Sequence, residues 1–410
     1  MSIKAVIVLL LTALVAATYG FGIYLFAQLV PDMRAALGFD FAYVGAITAA
    51  GQFGFLVAAL FAAWLTPRVG GGRVILGSGV VCALALLLVP LARNILLIGA
   101  LLTVLAGTAA TVFVPMVDVI SRSVPFRYRG MAMGLVSSGT SYGVFINSLL
   151  VPIYAPSGEW RSVWWWVGGI TVVAAALVWL VFQRAGLLSR PTPAQVPERE
   201  GLPSSRLFSR DSEIIKPWVL SVWAMNFLVG FSTFPFQNFM SSYLRTELGF
   251  SVDFTAQIWG TMGLVGMFAG LAVGWLSDRA GLRTAMLMVY GGVVAAALIL
   301  VFYPQGYWPL IAGVLFSLAF YPIFGLIPAY VSKMATTPAM AVAIFAVANV
   351  MQGTGGMLGN YSAGWLASYS ATFTGVYSSI AVVGLILMVI TLRLPAARTQ
   401  AEPDNLEASH

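Results

Sequence analysis

Few groups in this chain could do covalent or metal chemistry. The only histidine is His410, in a polar tail, and the only cysteine is Cys82, inside an apolar run. No nucleophile, base or set of metal ligands is clustered, so neither a metal centre nor an enzyme is expected, and no cofactor. No Walker-type loop is present, so ATP does not drive a cycle directly. The chain instead spaces neutral polar groups at helical intervals. Asn226, Thr233 and Gln237 share one face, as do Asn349, Gln352, Gly356 and Asn360. Tyr24 and Gln28 are one turn apart, and Tyr19 precedes them. Thr140 and Asn147 are two turns apart with Tyr142 nearby, and Tyr321 stands within another apolar run. Amides and phenols donate and accept hydrogen bonds without charge. A non-covalent pocket for a small molecule is therefore expected from Tyr19, Tyr24, Gln28, Asn147, Asn226, Gln237, Tyr321, Asn349 and Gln352. The same amides can bond helix to helix, at about 0.6 kcal/mol on average, and both uses are open for each.

Asp118 is the one acid read as lying well within an apolar run, two turns from its end. A charge at the centre of a membrane helix costs roughly 2.5–3.5 kcal/mol on insertion scales, so one kept there usually works. Two roles follow: proton exchange, or a gate in which Asp118 pairs with Arg122 one turn on. The gate is the preferred reading. Gly353, Gly355, Gly356 and Gly359 sit in mid-run rather than in a loop opening a helix, so they mark tight packing or flexing and not a phosphate cradle.

The elements that must position these groups are membrane spans. Of the 410 residues 60% are hydrophobic and 9% charged, where soluble domains carry about a quarter charged residues. Lipid is thus the outer solvent. Nucleic acid is not an expected partner, since the net charge of +7 is scattered through short gaps. Runs of about 20 apolar residues fall at 5–30, 42–65, 74–92, 95–120, 130–154, 162–183, 217–243, 253–276, 285–303, 309–332, 339–363 and 374–393. The first run is too long for a signal h-region and reads as an uncleaved span. Residues 184–216, with Pro191, Pro193, Pro197 and Pro203, read as a cytoplasmic linker between a bundle over 1–183 and another over 217–395. Residues 396–410 read as a cytoplasmic tail. With the N-terminus inside, only Arg34, Arg93, Arg161 and Arg245 of the 21 lysines and arginines fall outside, which fixes both termini in the cytoplasm. Trp160 and Trp164–Trp166 are expected as an interfacial anchor where the sixth span enters from the outer face. The expected fold is all-α and polytopic: twelve spans in two pseudo-symmetric six-helix bundles.

The two bundles repeat at an offset of 211 residues. Met33-Arg34-Ala35-Ala36-Leu37-Gly38-Phe39 matches Leu244-Arg245-Thr246-Glu247-Leu248-Gly249-Phe250. Ala63-Trp64-Leu65-Thr66-Pro67-Arg68-Val69-Gly70 matches Gly274-Trp275-Leu276-Ser277-Asp278-Arg279-Ala280-Gly281. The second copy, continued through Leu282 to Arg283, resembles the loop signature G-x-x-x-D-R-x-G-x-R of the major facilitator superfamily. Parallel repeats about an axis along the membrane normal also describe that family. The first copy departs from the signature, with Ala63 for the glycine and Pro67 for the aspartate.

The resemblance implies a secondary transporter working by alternating access, with spans 1, 4, 7 and 10 around a central path. It implies a gate at Gly274, Asp278, Arg279 and Arg283, joined by Asp118. Gly274 would let two helices approach closely. Asp278 would face the positive N-terminal end of span 5, and Arg279 and Arg283 would hold the loop at the headgroups. With Pro67 in the other copy, that latch should be lopsided. The family's proton-antiport signature R-x-x-Q-G finds only Thr103-Val104-Leu105-Ala106-Gly107, without the arginine or glutamine. The expected partners are a small-molecule substrate, the lipid bilayer and a candidate coupling proton, with the chain a monomer in a bacterial inner membrane. The pocket without fixed basic residues suits a neutral or amphipathic solute. A porter of small, monocarboxylate-like organic acids, faintly suggested by span 1, and a drug or metabolite exporter are alternatives. A transporter-like sensor without flux is the non-transport alternative.

Overall fold

The computed structural model describes residues 3–189 and 216–395. Most of the expected linker and all of the 396–410 tail lie outside the described residues. Among the described residues there are twelve helical spans: α1 Ile3–Leu37, α2 Phe41–Val69, α3 Gly71–Leu91, α4 Ile95–Ser123, α5 in two pieces Arg129–Ser137 and Gly139–Tyr154, α6 Trp160–Arg184, α7 Pro217–Glu247, α8 Val252–Ala280, α9 Leu282–Phe302, α10 Trp308–Met334, α11 Pro338–Ser370 and α12 Thr374–Arg393. Eleven are long and apolar enough to cross a membrane, α4 among them although a turn at Val114 and Pro115 divides it into Ile95–Phe113 and Met116–Ser123. The exception is α5, which breaks at Ser138, so that neither piece reaches the length of a span alone. An uninterrupted span over 130–154 is thus corrected. An even number of spans puts Ile3 and Arg393 on one face, called proximal below; the opposite face is distal.

The repeat is kept in backbone detail. Both α2 and α8 have 29 residues. Asp40 caps α2 by accepting the Tyr43 N–H, and Ser251 caps α8 by accepting the Phe254 N–H. The turns before these helices use Gly38 at φ 73° and Gly249 at φ 70°, and those after them use Gly70 at φ 95° and Gly281 at φ 84°. All four are in the left-handed region that glycine enters without a Cβ clash. The Arg68 guanidinium lies 4.1 Å above the Trp64 ring, and Arg279 lies 4.0 Å above Trp275. Each pair is offset by 211, which places a cation on an indole at the proximal end of both helices.

Within each half, glycine lets helices meet backbone to backbone. A Cβ on Gly143 of α5 would stand 2.3 Å from the Ala16 carbonyl oxygen of α1, and one on Gly355 of α11 would stand 1.9 Å from that of Phe227 in α7. The packing reading of the span-11 glycines therefore holds. Trp165 and Trp166 are exposed, as an anchor requires. The anchor reading fails for Trp160 and Trp164, at 1% and 0% exposure. Those two face inward from α6 as core, with Arg161 stacked 4.2 Å over Trp160 and bonded to the Pro90 carbonyl.

Candidate functional site

The halves touch along three helix pairs, α2 with α11, α5 with α8 and α1 with α7. At the distal end the contact is close. The Ala42 N–H donates to the Ser368 hydroxyl at 2.7 Å, the Phe41 and Phe373 rings meet at 4.7 Å, and Gly45 lies against Gly364. In mid-span Gly353 lies on Leu56, and Gly263 lies on Ser141 and Phe145. Proximal to these the halves part. A Cβ on Gly130, Gly134, Gly270, Gly274 or Gly325 would meet nothing within 4 Å. The molecule is therefore a cleft closed distally and open proximally.

At the apex of the cleft stands a group of hydroxyls. Tyr321, at the middle of α10, lies beside the Ser141 hydroxyl of α5. Gly266 of α8 makes room for them, since a Cβ there would stand 2.3 Å from the Tyr321 ring and 2.7 Å from Ser141 Oγ. Tyr24 of α1 is within electrostatic reach of Tyr321 and of Tyr19. Tyr19 is held edge-on between Phe55 and Phe113, both at 6.1 Å. Phenols and a hydroxyl from both halves thus converge midway along the spans.

The α1 backbone explains how two tyrosines five residues apart reach this place. Residues Ala16–Tyr24 form a π-helix, a wide turn usually found as a short insertion and often at functional sites. Gly20 sits in it against Gly143, and its carbonyl accepts the Asn147 Nδ2–H at 2.8 Å. The equivalent stretch of α7 has no such turn; there the wide turn is at Tyr243–Glu247, near the distal end.

The amides divide. Asn147 is wholly buried, with Nδ2 on Gly20 and Oδ1 unpartnered. Gln28 donates weakly to the Val144 carbonyl at 3.5 Å, and its Oε1 is buried without a partner, as is Gln237 Oε1. Asn226 bonds the Val222 carbonyl of its own helix. Asn360 bonds Asn238, which the sequence reading did not single out, at 2.9 Å. Gln352 is buried where Gly230 meets α11. Asn349 is exposed on the stripe of Gly353 and Gly356, which faces α2 and α7, so it looks into the cleft.

The gate residues are apart. Asp278 and Arg279 are exposed at the proximal end of α8, and Asp278 has no ion pair among the described residues. No helix approaches Gly274, against expectation, because the proximal side is open. Arg283 lies within electrostatic reach of Tyr330 of α10. Asp118 stays inside the first half. Its Oδ2 accepts the Gly71 N–H at 3.2 Å, at the first residue of α3, with Arg122 at 3.8 Å. It thereby braces the loop that in this half lacks an aspartate of its own.

One ionic feature was missed. Asp32 and Arg245 join the distal ends of α1 and α7 through two hydrogen bonds of 2.5 and 2.6 Å, with side chains 9% and 13% exposed. Helix α1 runs on through Pro31 to Leu37, so Asp118 is not the only acid carried by a spanning helix. A signal existed: Arg245 repeats Arg34, whereas Asp32 has only Tyr243 as its counterpart.

A family model described as the Major Facilitator Superfamily matches residues 12–359. The cis,cis-muconate transport protein of Acinetobacter baylyi is 24% identical over 332 residues, 79% of this chain and 78% of that one. The Multidrug resistance protein MdtG of Proteus mirabilis is 26% identical over 351 residues, 83% of each. The Sodium-dependent phosphate transport protein 1 of Arabidopsis thaliana chloroplasts is 28% identical over 264 residues, 60% of this chain; the match spans about half (49%) of that longer protein. Among solved structures, the nucleoside transporter NupG superposes with a TM-score of 0.74 at 14% identity, covering 96% of this chain and 99% of that one.

Proposed function

The chain belongs to the Major Facilitator Superfamily, and from that premise we propose that it moves small organic anions across a bacterial inner membrane by alternating access. The proximal face would then be cytoplasmic, because most of the basic residues lie there. The open proximal cleft would be the inward-facing state.

The observation that carries this reading is the hydroxyl group of Tyr24, Tyr321 and Ser141 at the apex. Phenol and hydroxyl donors can hold a carboxylate. No lysine, arginine or histidine lies in mid-span to balance its charge. Burying an unpaired carboxylate is costly, and such a group neutralises by taking up a proton instead. The solute would therefore cross as its acid, and the proton would travel on the cargo rather than on a protein side chain. That makes the cycle a symport in which Asp118 takes no proton. Two relatives, named for the transport of cis,cis-muconate and of phosphate, fit an anionic cargo.

Proteoliposome uptake of muconate and simpler carboxylic acids tests this. Import is expected to rise with an acid exterior, to stop with a protonophore and to be indifferent to an imposed potential for a monoacid. Tyr321→Phe removes one donor, worth about 1–3 kcal/mol if a buried acceptor is left unmatched. It should lower uptake efficiency about 10–100-fold while the protein still inserts. Wild-type uptake by Tyr321→Phe and Tyr24→Phe alike would end the reading.

A second reading rests on the aromatic clasp of Tyr19 by Phe55 and Phe113 and on the match to MdtG. It is an exporter of an amphipathic, uncharged solute. Vesicles that exclude carboxylic acids but expel such a solute would favour it.

A further inference from the structure

On the outer side of the first half, α2 and α3 diverge from the Gly70 turn and pack on α4 more than on each other. Between them lies a groove of about 640 Å³. Gly54, Ala58 and Gly107 keep its floor low, and a Cβ on Gly107 would already stand 3.3 Å from that of Ala58. The groove runs from Phe53, at mid-membrane, to Val69 and Arg73 at the proximal end. At 1.5 Å per residue that is about 24 Å along α2, against about 15 Å for one hydrocarbon leaflet. The lining is apolar in effect as well as in composition. Each of the four hydroxyls along it is turned back to a carbonyl of its own helix: Ser78 to Val74, Thr103 to Gly99, Thr108 to Leu105 and Thr111 to Gly107. A polar solute would find no free hydroxyl donor along these helices.

The proximal end differs. Arg73 is exposed there and has no acidic partner among the described residues. An open apolar channel that spans the depth of one leaflet with its headgroup region, ending in a guanidinium without an acidic partner among the described residues, matches a lipid of that leaflet in shape and charge. We propose that this groove is a binding site for an anionic phospholipid of the proximal leaflet, with an acyl chain between α2 and α3 and the phosphate on Arg73. Guanidinium suits a phosphate because its planar donors bond two oxygens at once. The deep end meets the seam between the halves. Phe53 also lines a hollow formed with Ala49 and Ala50 of α2 and with Met357, Leu358 and Tyr361 of α11. A lipid seated in the groove would therefore border the helix pair along which the halves move.

The test uses the full-length protein in nanodiscs, with native mass spectrometry counting retained lipid and initial uptake measured in vesicles of the same composition. Phosphatidylglycerol is expected to be retained over phosphatidylcholine. Gly77→Phe is the informative variant, because a side chain at Gly77 meets no atom within 4 Å and projects into the groove. It should insert normally, lose the retained lipid, and lose any dependence of uptake on phosphatidylglycerol. Arg73→Gln, at an exposed position, should keep a lipid but lower the preference for the anionic headgroup about fivefold. Retention of phosphatidylglycerol by Gly77→Phe at the wild-type level would overturn the site. So would equal retention of both lipids by the wild type. Full displacement by free inorganic phosphate would show that Arg73 alone binds the anion, and would overturn the acyl channel.

Discussion

Asp32→Asn is expected to release the distal face. In the described conformation the Asp32–Arg245 bridge links the two halves, forms two short bonds and is largely screened from solvent. Removing one member leaves a charge without its counterpart in a confined place, which typically costs about 2–5 kcal/mol. Moving a two-state equilibrium from one extreme to the other takes about 5.5 kcal/mol. The loss therefore reaches a large part of what is needed to empty the distally closed state. The remaining distal contacts are weaker: one backbone bond to Ser368, the Phe41–Phe373 ring pair and the Gly45–Gly364 approach. Spin labels at Ser157 and Gln305, exposed on distal turns of opposite halves, should report a longer and broader distance in Asp32→Asn. Cys82 is buried and should not take a label. Transport should fall at least about tenfold, because a cycle needs both states. Exchanging the charges, with Asp32→Arg and Arg245→Asp together, should restore much of both readouts. An unchanged distance distribution in the single variant would mean that the bridge follows closure and does not hold it.

Gly355→Ala should cost more than Gly274→Ala at the glycine of the loop signature. A methyl at Gly355 would lie 1.9 Å from the Phe227 carbonyl oxygen and 3.0 Å from its Cα, and both are backbone atoms of a packed helix. Neither can step aside without moving α7 or α11. Overpacking of this sort costs about 1–3 kcal/mol and sometimes more. Gly274→Ala, with nothing within 4 Å, should leave stability unchanged or slightly raised, since alanine is the better helix former. Thermal unfolding of the two purified variants separates them. Equal melting temperatures would refute the close packing of α7 on α11.

The span count, the halves and the repeat were legible because each is a local property written many times over. Apolar runs of fixed length, Gly38 with Gly249 and Trp64 with Trp275 need no knowledge of distant contacts. The pocket was half legible. Tyr24 and Tyr321 stand out as polar groups in apolar runs. Ser141 does not, since serine in a membrane helix is unremarkable until a tyrosine from the other half stands beside it. The wide turn of α1 has no proline to announce it, and the break of α5 falls at an ordinary serine. Asp32 looked like a residue of a loop because Pro31 precedes it, yet the helix continues through that proline. Trp160 was misassigned because a tryptophan at the mouth of a span is usually wet, and its burial depends on how α6 packs, which a sequence cannot state. Asp278 was read for its partner in a closed state, whereas the described state is open on that side.

The wide turn of α1 lacks a twin in the middle of α7, although the helices that follow each, α2 and α8, keep the same length at the same offset. The repeated frame therefore encloses a chamber whose two walls are not related by the two-fold of the repeat. Any solute turned by half a revolution about that axis would meet different walls, so the backbone alone makes its two orientations unequal.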